Sequence, residues 1–370
     1  MVPGVDVVRL VSLPGGNYKT MKNILLINKE EIPHYRVPVY NYLSEYLKSY
    51  DLYLTVVSQD IQKDSPHAIQ FPYRRMKLSF LSLTRLFAHA RPDAVVFWLN
   101  FEFYKFPVLL VAKILGIKIL YWGHGRDLED PENSLKNIVY SVEHWMDDAI
   151  ILYAEHLKKY IRRAFLSKTF VANNTLNMTI YRASRPPKEE VKRRYRIPAA
   201  KNVICMGRMQ RRKRIGDLVE AFRGLRLEGV GLILAGPDDD GILRGIEDPG
   251  IYKVGPVYGE ESLDLLSAAD VYCLPGHLGL GIVDAFYCGL PVVTEDVLHA
   301  PEIMYLKDGL NGFIVPEGDI GQLSEKLAIL LTDERQRELF SKAAREEIMT
   351  NGHINKFCEG FRDALHYALK

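Results

Sequence analysis

Short apolar runs alternate with longer amphipathic stretches along almost the whole chain, beginning at Met21. The apolar runs have the length of buried strands, and the stretches between them have helical spacing, as in VPVYNYLSEYLKSY at 37–50. Strands that alternate with helices form parallel sheets that carry helices on both faces. The first runs of this kind are KNILLIN (22–28), DLYLTVVS (51–58), DAVVFW (93–98), IKILYW (117–122) and AIILYA (149–154).

A second series follows a charged, proline-containing segment, SRPPKEEVKRRYRIP at 184–198. A Pro-Pro pair and dense charge interrupt the apolar runs there, so we place a linker at these residues. The expected division is a first domain at 21–183, a second at 199–345 and a helical segment at 346–370, after a disordered leader at 1–20. The later strands are NVICMG (202–207), GLILAG (231–236), IYKVG (251–255), DVYCLPG (270–276), LPVVTE (290–295) and GFIV (312–315).

Length and composition agree with two domains. The chain has 370 residues, and a single core usually stops growing at about 250 to 300 residues. A hydrophobic content of 48% excludes disorder for the bulk of the chain. With 48 Lys and Arg against 46 Asp and Glu, the net charge of +2 gives no support for binding nucleic acid through bulk charge.

Cysteine usage and hydropathy indicate a cytoplasmic protein. Four cysteines without a C-x-x-C pair predict reduced thiols, and neither a metal site nor a disulfide framework. The most apolar region, 94–122, is interrupted by charged residues, so we expect no transmembrane helix. The leader carries Asp6 and Arg9 within its only apolar stretch, which argues against a signal peptide.

The segment GRMQRRKRIGDLVEAF at 207–222 is the first candidate for chemistry. A predicted strand ends at Gly207, Arg208 follows, and Lys213 stands at the entrance of a helix. Two cations at a helix N-terminus, where free N–H groups already favour anions, are suited to a phosphate group. The alternative is a solvated basic turn, because three further arginines lie in the same segment.

The segment CLPGHLGLGIVDAFYCGLPVVTED at 273–296 is the second candidate. A strand ends at Pro275, and a glycine-rich loop follows that lets backbone N–H groups approach a diphosphate. Asp284, about one turn into the next helix, is placed to accept hydrogen bonds from a ribose diol; the alternative is an ordinary surface carboxylate. Besides Gly207, Arg208 and Lys213, the expected contacts are Gly276, His277, Leu278, Gly279, Leu280, Gly281 and Asp284.

Together with the segment HAPEIMYLKDGLNGFIVPEGD at 299–319, these two segments resemble the nucleotide-sugar-binding domain of glycosyltransferase family 4. The resemblance covers about residues 22 to 345. It implies the GT-B fold, in which two doubly wound Rossmann-like α/β domains face each other across a deep cleft. It also implies a retaining sugar transfer from a nucleotide-diphosphate donor, with no required metal and no other cofactor.

The resemblance also assigns roles to particular residues. Arg208 and Lys213 match the family pair that holds the donor diphosphate, and Glu302 matches the family's P-E turn. Asp284 matches the second of two glutamates, eight positions apart, and this second glutamate holds the ribose. The first glutamate, which usually touches the hydroxyls of the donor sugar, falls on Gly276, so the identity of the sugar stays open.

The first half offers fewer candidates. His124 lies between two glycines after a strand, in YWGHGRDL at 121–128, and matches the family's catalytic histidine of the first domain. Asn174 and Thr175, in VANNTLN at 171–177, resemble the segment that closes that domain, and a turn is their alternative. His34, Tyr35 and Arg36 are weak candidates for acceptor contact.

Three further patterns carry less weight. Asp238-Asp239-Asp240 contains a D-x-D, but it trails a predicted strand at a GT-B turn, so we expect no metal there. GVGLIL at 229–234 places its glycines before a strand, which contradicts a dinucleotide site. The basic amphipathic stretch HLKKYIRRAFLSK at 156–168 is read as a solvated surface helix, with contact to an anionic membrane surface as the alternative.

The sequence therefore predicts a cytoplasmic glycosyltransferase. Peripheral contact with the cytoplasmic face of the membrane is the alternative to a fully cytoplasmic location. The expected donor is a UDP-sugar, and the expected acceptor is a glycan or a lipid-linked molecule of cell-surface polysaccharide synthesis, such as lipopolysaccharide. The alternatives are a nucleotide-sugar 2-epimerase of GT-B fold and a non-catalytic subunit that binds nucleotide sugars.

Overall fold

The computed structural model describes residues 10–12, 18–29, 31–62, 66–98, 105–128 and 134–370. The chain divides into two units. The first unit comprises Met1–Asn177 and Ile354–Lys370, and the second comprises Met178–His353.

The first unit contains a seven-stranded sheet in which all neighbouring strands are parallel. Its strands are preceded by an antiparallel pair of short strands. The pair is β1 (Leu10–Ser12) and β2 (Tyr18–Thr20), and the sheet strands are β3 (Lys22–Asn28), β4 (Leu52–Ser58), β5 (Tyr73–Arg75), β6 (Ala94–Trp98), β7 (Lys118–Gly123), β8 (Ala149–Leu152) and β9 (Thr169–Val171). The order across the sheet is β5-β4-β3-β6-β7-β8-β9, so the chain reverses its direction of winding between β3 and β6.

The second unit contains a six-stranded sheet, again parallel throughout. Its strands are β10 (Lys201–Met206), β11 (Val230–Ala235), β12 (Ile251–Gly255), β13 (Val271–Cys273), β14 (Val292–Glu295) and β15 (Gly312–Val315). The order is β12-β11-β10-β13-β14-β15, so the winding reverses between β10 and β13. The predicted strands of both series, from KNILLIN to GFIV, are confirmed.

Helices cover both sheets. Those of the first unit are α1 (Arg36–Lys48), α2 (Phe80–Ala90), α3 (Lys105–Ile114) and α4 (Ser134–Met146); those of the second are α5 (Lys188–Arg194), α6 (Ile215–Gly224), α7 (Glu260–Ser267), α8 (Gly281–Tyr287), α9 (Ile320–Thr332) and α10 (Glu334–Thr350); α11 (Ile354–Ala368) belongs again to the first. Asp319 and Asp333 begin α9 and α10, where each carboxylate accepts a hydrogen bond from the backbone N–H three residues on.

The boundary between the units differs from the predicted one. It follows Asn177, not residue 183, and the expected linker at 184–198 contains α5. The cause is a group of ion pairs that binds this segment to α7: Arg182 contacts Asp264 at 2.5 Å, and Arg185 contacts Glu260 at 2.5 Å. A dense charge run, which we interpreted as a solvated linker, is therefore part of the second unit.

The C-terminal segment is divided between the units as well. We predicted one helical segment at 346–370, but α10 ends in the second unit, whereas α11 packs on α1 and on β7, β8 and β9. Phe357 and Phe361 are fully buried, and their rings lie 5.6 and 4.8 Å from that of Trp122. A Cβ at Gly360 would lie 2.2 Å from the carbonyl oxygen of Val171, so only glycine permits this close approach.

Two further expectations need correction. The described part of the leader, β1 and β2, forms a pair of antiparallel strands where we expected disorder. The basic stretch is two 3-10 helices, Glu155–Tyr160 and Arg163–Lys168, and not one continuous helix. They are separated at Ile161, whose backbone is extended and whose side chain is buried.

All four cysteines are free, and three of them are buried. Within the described ranges, no helix combines the length and the apolar character that crossing a bilayer requires.

The packing of α11 leads to a test in which tryptophan fluorescence reports on the first unit alone, because Trp98, Trp122 and Trp145 all belong to it. Phe361→Ala should lower the free energy of unfolding seen by this signal by about 3 to 5 kcal/mol, because it leaves a cavity beside Trp122. Urea titration measures the change, and Lys356→Ala, on the exposed side of α11, serves as the control. An unchanged fluorescence midpoint would contradict the assignment of α11 to the first unit.

Candidate active site

The candidate site lies where the second sheet reverses its winding. β10 and β13 are neighbours and parallel, with Val203 opposite Val271 and Ile204 opposite Tyr272. The segments that follow these strands, Gly207 onward and Leu274 onward, therefore leave the same edge of the sheet and turn in opposite directions. Ligands of open α/β sheets bind in the crevice that such a reversal opens.

Backbone hydrogen bonds join the two segments directly. Gly276 donates its N–H to the carbonyl oxygen of Lys213 at 3.1 Å, and His277 donates to that of Arg212 at 2.9 Å. The Nζ of Lys213 donates in turn to the carbonyl oxygen of His277 at 2.5 Å. The first and second candidate segments thus form one structure.

Gly276 is required by this junction. A Cβ at this position would lie 2.1 Å from the carbonyl oxygen of Arg212, and neither atom can move without disturbing the backbone. The resemblance places a sugar-contacting glutamate at Gly276, but the junction leaves no room for any side chain there. No side chain at position 276 can therefore contact the donor sugar, and the glycine serves the approach of backbone to backbone.

The two cations of the first segment differ in environment. Burial lowers the pKa of Lys213 to about 8, with the nearby Arg212 guanidinium acting in the same direction, while the Glu302 carboxylate acts against both. One of the three Nζ donors of Lys213 contacts His277, so two remain for a ligand. Arg208 is exposed, and its guanidinium has no hydrogen-bond or ion-pair partner among the residues that the structure describes.

Asp284 lies in the first turn of α8. Burial raises the pKa of its carboxyl to about 7. No residue in the described ranges donates a hydrogen bond to this carboxylate, so it is available to hydroxyl groups of a ligand. The pKa of the neighbouring Tyr181 phenol is raised to about 12, chiefly by burial and further by the Asp284 carboxylate.

Three unengaged backbone N–H groups, those of Gly279, Leu280 and Gly281, lie at the start of α8. The N–H groups of His277 and Leu278 are already engaged, the second with Nδ1 of His299 at 3.1 Å. Those of Gly279, Leu280 and Gly281 donate to no described residue. Of the loop residues predicted to offer N–H groups to a diphosphate, only these three have donors to spare, and Leu278 is buried.

Two residues that position the site escaped sequence reasoning. Tyr272 donates its hydroxyl to the carbonyl oxygen of Met206 at 2.9 Å, and a Cβ at Gly281 would lie 2.7 Å from that hydroxyl. His299 accepts from Leu278 and bonds through Nε2 to the carbonyl oxygen of Glu295 at 2.7 Å, which fixes its tautomer. The spacing of HAPE to the glycine-rich loop was the only available signal for His299.

The third candidate segment reaches the same place. Glu302 lies in the first turn of a 3-10 helix, Pro301–Tyr305, and is buried. A Cβ at Gly279 would lie 3.9 Å from Oε2 of Glu302, and Glu302 also acts on the pKa of Lys213. The structure therefore brings the predicted residues of all three segments together at one sheet edge.

The candidates of the first unit form a second cluster. His124 directly follows β7, and its ring meets the edge of Tyr153 at 4.8 Å. The guanidinium of Arg36 lies over Trp122 at 5.3 Å and over Tyr153 at 5.7 Å, and it donates to Oδ1 of Asn174 at 2.6 Å. Arg36 and Asn174 are buried, so they position neighbouring groups. A residue that contacts the acceptor would need an exposed side chain, and Arg36 does not have one.

The remaining candidates have ordinary structural contacts. Thr175 is fully buried, and Nδ1 of His34 lies 3.2 Å from the side-chain oxygen of Gln62. Asp238 of the D-x-D pattern accepts hydrogen bonds from the backbone of Ile242 and Leu243 at 2.7 and 2.9 Å. This carboxylate closes a turn.

Comparison with known proteins finds a family model and relatives that resemble part of the chain. Residues 187–347 match the model of the family described as glycosyl transferases group 1. The chain is 32% identical over 152 residues to the sulfoquinovosyl transferase SQD2 of Arabidopsis thaliana, covering 39% of this chain and 29% of that protein. It is 30% identical over 159 residues to the phosphatidyl-myo-inositol mannosyltransferase of Mycobacterium leprae, covering 40% and 42%. The matches thus span less than half of these relatives.

A solved structure extends the likeness to almost the whole chain. The Anabaena protein HepE, crystallised with UDP, matches with a TM-score of 0.75 and 16% identity, covering 94% of this chain and 100% of that one. Two Rossmann-like domains with parallel sheets are the components of the GT-B fold, and the predicted fold class is confirmed.

The junction at Gly276 can be tested with a matched pair of substitutions in one loop. Gly276→Ala should destabilise the second unit by about 1 to 3 kcal/mol, because its methyl group overlaps the Arg212 carbonyl. Gly279→Ala should be tolerated, because the nearest atoms to its Cβ lie at ordinary contact distance, 3.7 Å. Thermal unfolding followed by circular dichroism, with hydrogen exchange of residues 274–282, measures both. Equal behaviour of the two variants would contradict the junction.

Proposed function

We propose that the chain is a retaining glycosyltransferase that uses a UDP-sugar, from the premise that residues 187–347 match the model of group 1 glycosyl transferases. The acceptor is a glycan or a lipid-linked molecule of cell-surface polysaccharide synthesis. One observation carries the proposal: Arg208, Lys213, Asp284 and three unengaged backbone N–H groups converge where the second sheet reverses its winding.

The cations and N–H groups are suited to the departing nucleoside diphosphate. Breaking the glycosidic bond leaves negative charge on the diphosphate while the sugar becomes oxocarbenium-like. Lys213 and Arg208 supply positive charge, and the N–H groups of Gly279–Gly281 supply fixed dipoles, so the leaving group is stabilised as its charge develops. Their positions are held by the Gly276 junction before any ligand arrives.

Asp284 is assigned to the ribose. A carboxylate accepts hydrogen bonds from both hydroxyls of a ribose diol, and that of Asp284 is available for this purpose. Gly276 has no room for a side chain that could contact the donor sugar. Oε2 of Glu302 lies 3.9 Å from the Cβ position of Gly279 in the loop, and we assign Glu302 to the positioning of Lys213 and of the donor sugar.

The choice of donor and acceptor draws on proteins to which this chain is similar. HepE was crystallised with UDP, which supports a uridine nucleotide. The relative named as a phosphatidyl-myo-inositol mannosyltransferase supports a lipid acceptor. We assign His124 of the first unit to catalysis on the acceptor side, and we propose that no metal is required.

Transfer and its alternatives are separated by product analysis. Incubation with radiolabelled UDP-sugars or GDP-sugars and a lipid extract should label the acceptor and release the nucleoside diphosphate, with the anomeric configuration retained by NMR. His124→Ala should lower turnover by about 100-fold and leave UDP affinity within about twofold, because proton transfer is lost and donor binding is not. His89→Ala, at an exposed histidine of α2 in the same unit, is the control. Epimerised nucleotide sugar would indicate the 2-epimerase instead, and binding without turnover would indicate a binding subunit.

The two perturbed groups give a pH signature of donor binding. Lys213 attracts the diphosphate only while protonated, so the affinity for UDP-glucose should fall as pH rises above about 8. Asp284 accepts best when ionised, so the affinity should also fall as pH drops below about 7. Calorimetric titration over about four pH units, from about 5.5 to 9.5, covers both limbs. The affinity for UDP-glucose should be highest between pH values of about 7 and about 8.

Substitutions assign the two limbs. Lys213→Gln should remove the alkaline limb, and Asp284→Asn should remove the acidic one. Arg208→Gln should weaken binding by about 10-fold at every pH without changing the shape of the curve, since a guanidinium stays charged throughout. A curve whose limbs survive both Lys213→Gln and Asp284→Asn would contradict the donor assignment.

A further inference from the structure

A polar cavity of about 220 Å³ lies in the first unit, beside the segment that follows β7. Its wall is formed by Arg126, by one face of α4 that includes Tyr140 and His144, and by Lys159 and Tyr160. We call it the Arg126 cavity. None of these residues belongs to the donor site of the second unit.

Two buried nitrogens of the cavity wall lack hydrogen-bond partners. Nε of Arg126 and Nε2 of His144 are both shielded from solvent, and neither contacts an acceptor within the described part of the chain. His144 is almost fully buried, and burial together with Lys105 and Lys168 lowers its pKa to about 3, so the ring is neutral and Nε2 donates or accepts according to its tautomer. Buried polar atoms are nearly always satisfied, so a buried guanidinium donor beside an unpartnered ring nitrogen indicates a polar ligand that supplies acceptor atoms to Arg126.

The charges around the cavity favour an anion. The guanidinium of Arg126 lies 4.6 Å and the Nζ of Lys159 lies 4.9 Å from the ring centre of Tyr160. The described lining residues include no carboxylate. The acidic groups nearby are neutralised, because Glu143 contacts Lys105 and Asp127 contacts Lys136 at 2.6 Å.

The adjoining face of α4 is apolar and points to solvent. Leu135, Ile138, Val142 and Trp145 are 75, 54, 43 and 71% exposed. Their spacing of three and four residues places them in one row along about 15 Å of helix. A helix on a globular protein normally turns its apolar row inward, so this row, the α4 stripe, has an unusual orientation.

A cationic cavity and an exposed apolar row on adjoining faces of one helix match the two ends of an anionic lipid. We propose that the Arg126 cavity binds the phosphate of an anionic lipid head group while the α4 stripe enters the apolar layer beside it. This binding requires no nucleotide sugar, so it is measured on the full chain without donor, and it can succeed or fail independently of the proposed transferase.

Co-sedimentation with vesicles tests the cavity. The wild type should bind vesicles of phosphatidylcholine with phosphatidylglycerol more strongly than vesicles of phosphatidylcholine alone. Arg126→Gln and Lys159→Gln should each lower the partition coefficient by about fivefold, as for the loss of one charge near an anionic surface. Arg85→Gln, an exposed cation of α2, should change it less than twofold. Equal losses for Arg85→Gln and Arg126→Gln would overturn the cavity as the site.

The stripe has its own control. Trp145→Gln and Leu135→Gln should each reduce vesicle binding by about fivefold or more, because each removes apolar area from the lipid layer. Leu339→Gln, at a leucine of α10 that is 60% exposed, should leave binding unchanged. Circular dichroism confirms folding, and since Lys159 and Leu135 are exposed, their variants keep the test valid should Arg126→Gln or Trp145→Gln fail to fold.

Soluble phosphate distinguishes the source of the anion. Glycerol phosphate should compete with vesicles only weakly, and Trp145→Gln should leave that weak competition unchanged. If inorganic phosphate or glycerol phosphate stabilises the wild type and not Arg126→Gln in thermal shift, while anionic vesicles do not bind, the lipid proposal is overturned in favour of a soluble ligand. A wild type that binds neither overturns it altogether.

Discussion

The candidate site depends on a pair of backbone hydrogen bonds between two segments that are more than 60 residues apart in the chain. Gly276 donates to Lys213, and His277 donates to Arg212. Neither bond involves a side chain, so they fix the two segments at a single spacing, which only glycine at position 276 allows. The positions of Lys213, of the free N–H groups and of Asp284 all follow from this contact.

The junction also explains why the charged groups have unusual environments. It brings Lys213 under the glycine-rich loop, where burial disfavours its charged form, and α8 holds Asp284 in a similarly desolvated place. The cost of removing both groups from water is met during folding, by the packing of the second unit. A site that has already lost its water stabilises developing charge more strongly than a solvated one.

Sequence predicted the features that depend on local pattern. Continuous apolar runs identified the strands, and the family resemblance grouped the segments after β10 and β13 into one nucleotide-sugar site. The sequence pattern did not predict contacts between residues that are distant in the chain. The nearest atom to Gly276 belongs to Arg212, and the neighbours of Gly360 belong to Val171, so neither close approach is encoded near either glycine. The same holds for α11, whose burial depends on Trp122.

The basic run after β10 illustrates how one charge pattern serves two purposes. Its arginines suggested a solvated turn, yet Arg214 contacts Glu295 at 3.0 Å and Asp217 at 2.6 Å. Glu295 is fully buried, and its carboxylate accepts a hydrogen bond from the N–H of Gly318. Its backbone carbonyl oxygen accepts a hydrogen bond from Nε2 of His299.

Arg214 thereby connects the entrance of α6 to the end of β14, and His299 continues the connection to Leu278 in the glycine-rich loop. Lys213, the next residue back, is therefore held from both sides, by the junction at Gly276 and by the ion pair at Arg214. Within one run of four cations, the ion pair between Arg214 and the buried Glu295 supplies rigidity, and Lys213 beside it is left with donors for a ligand. Position relative to the sheet edge, which charge pattern alone does not encode, separates the two roles.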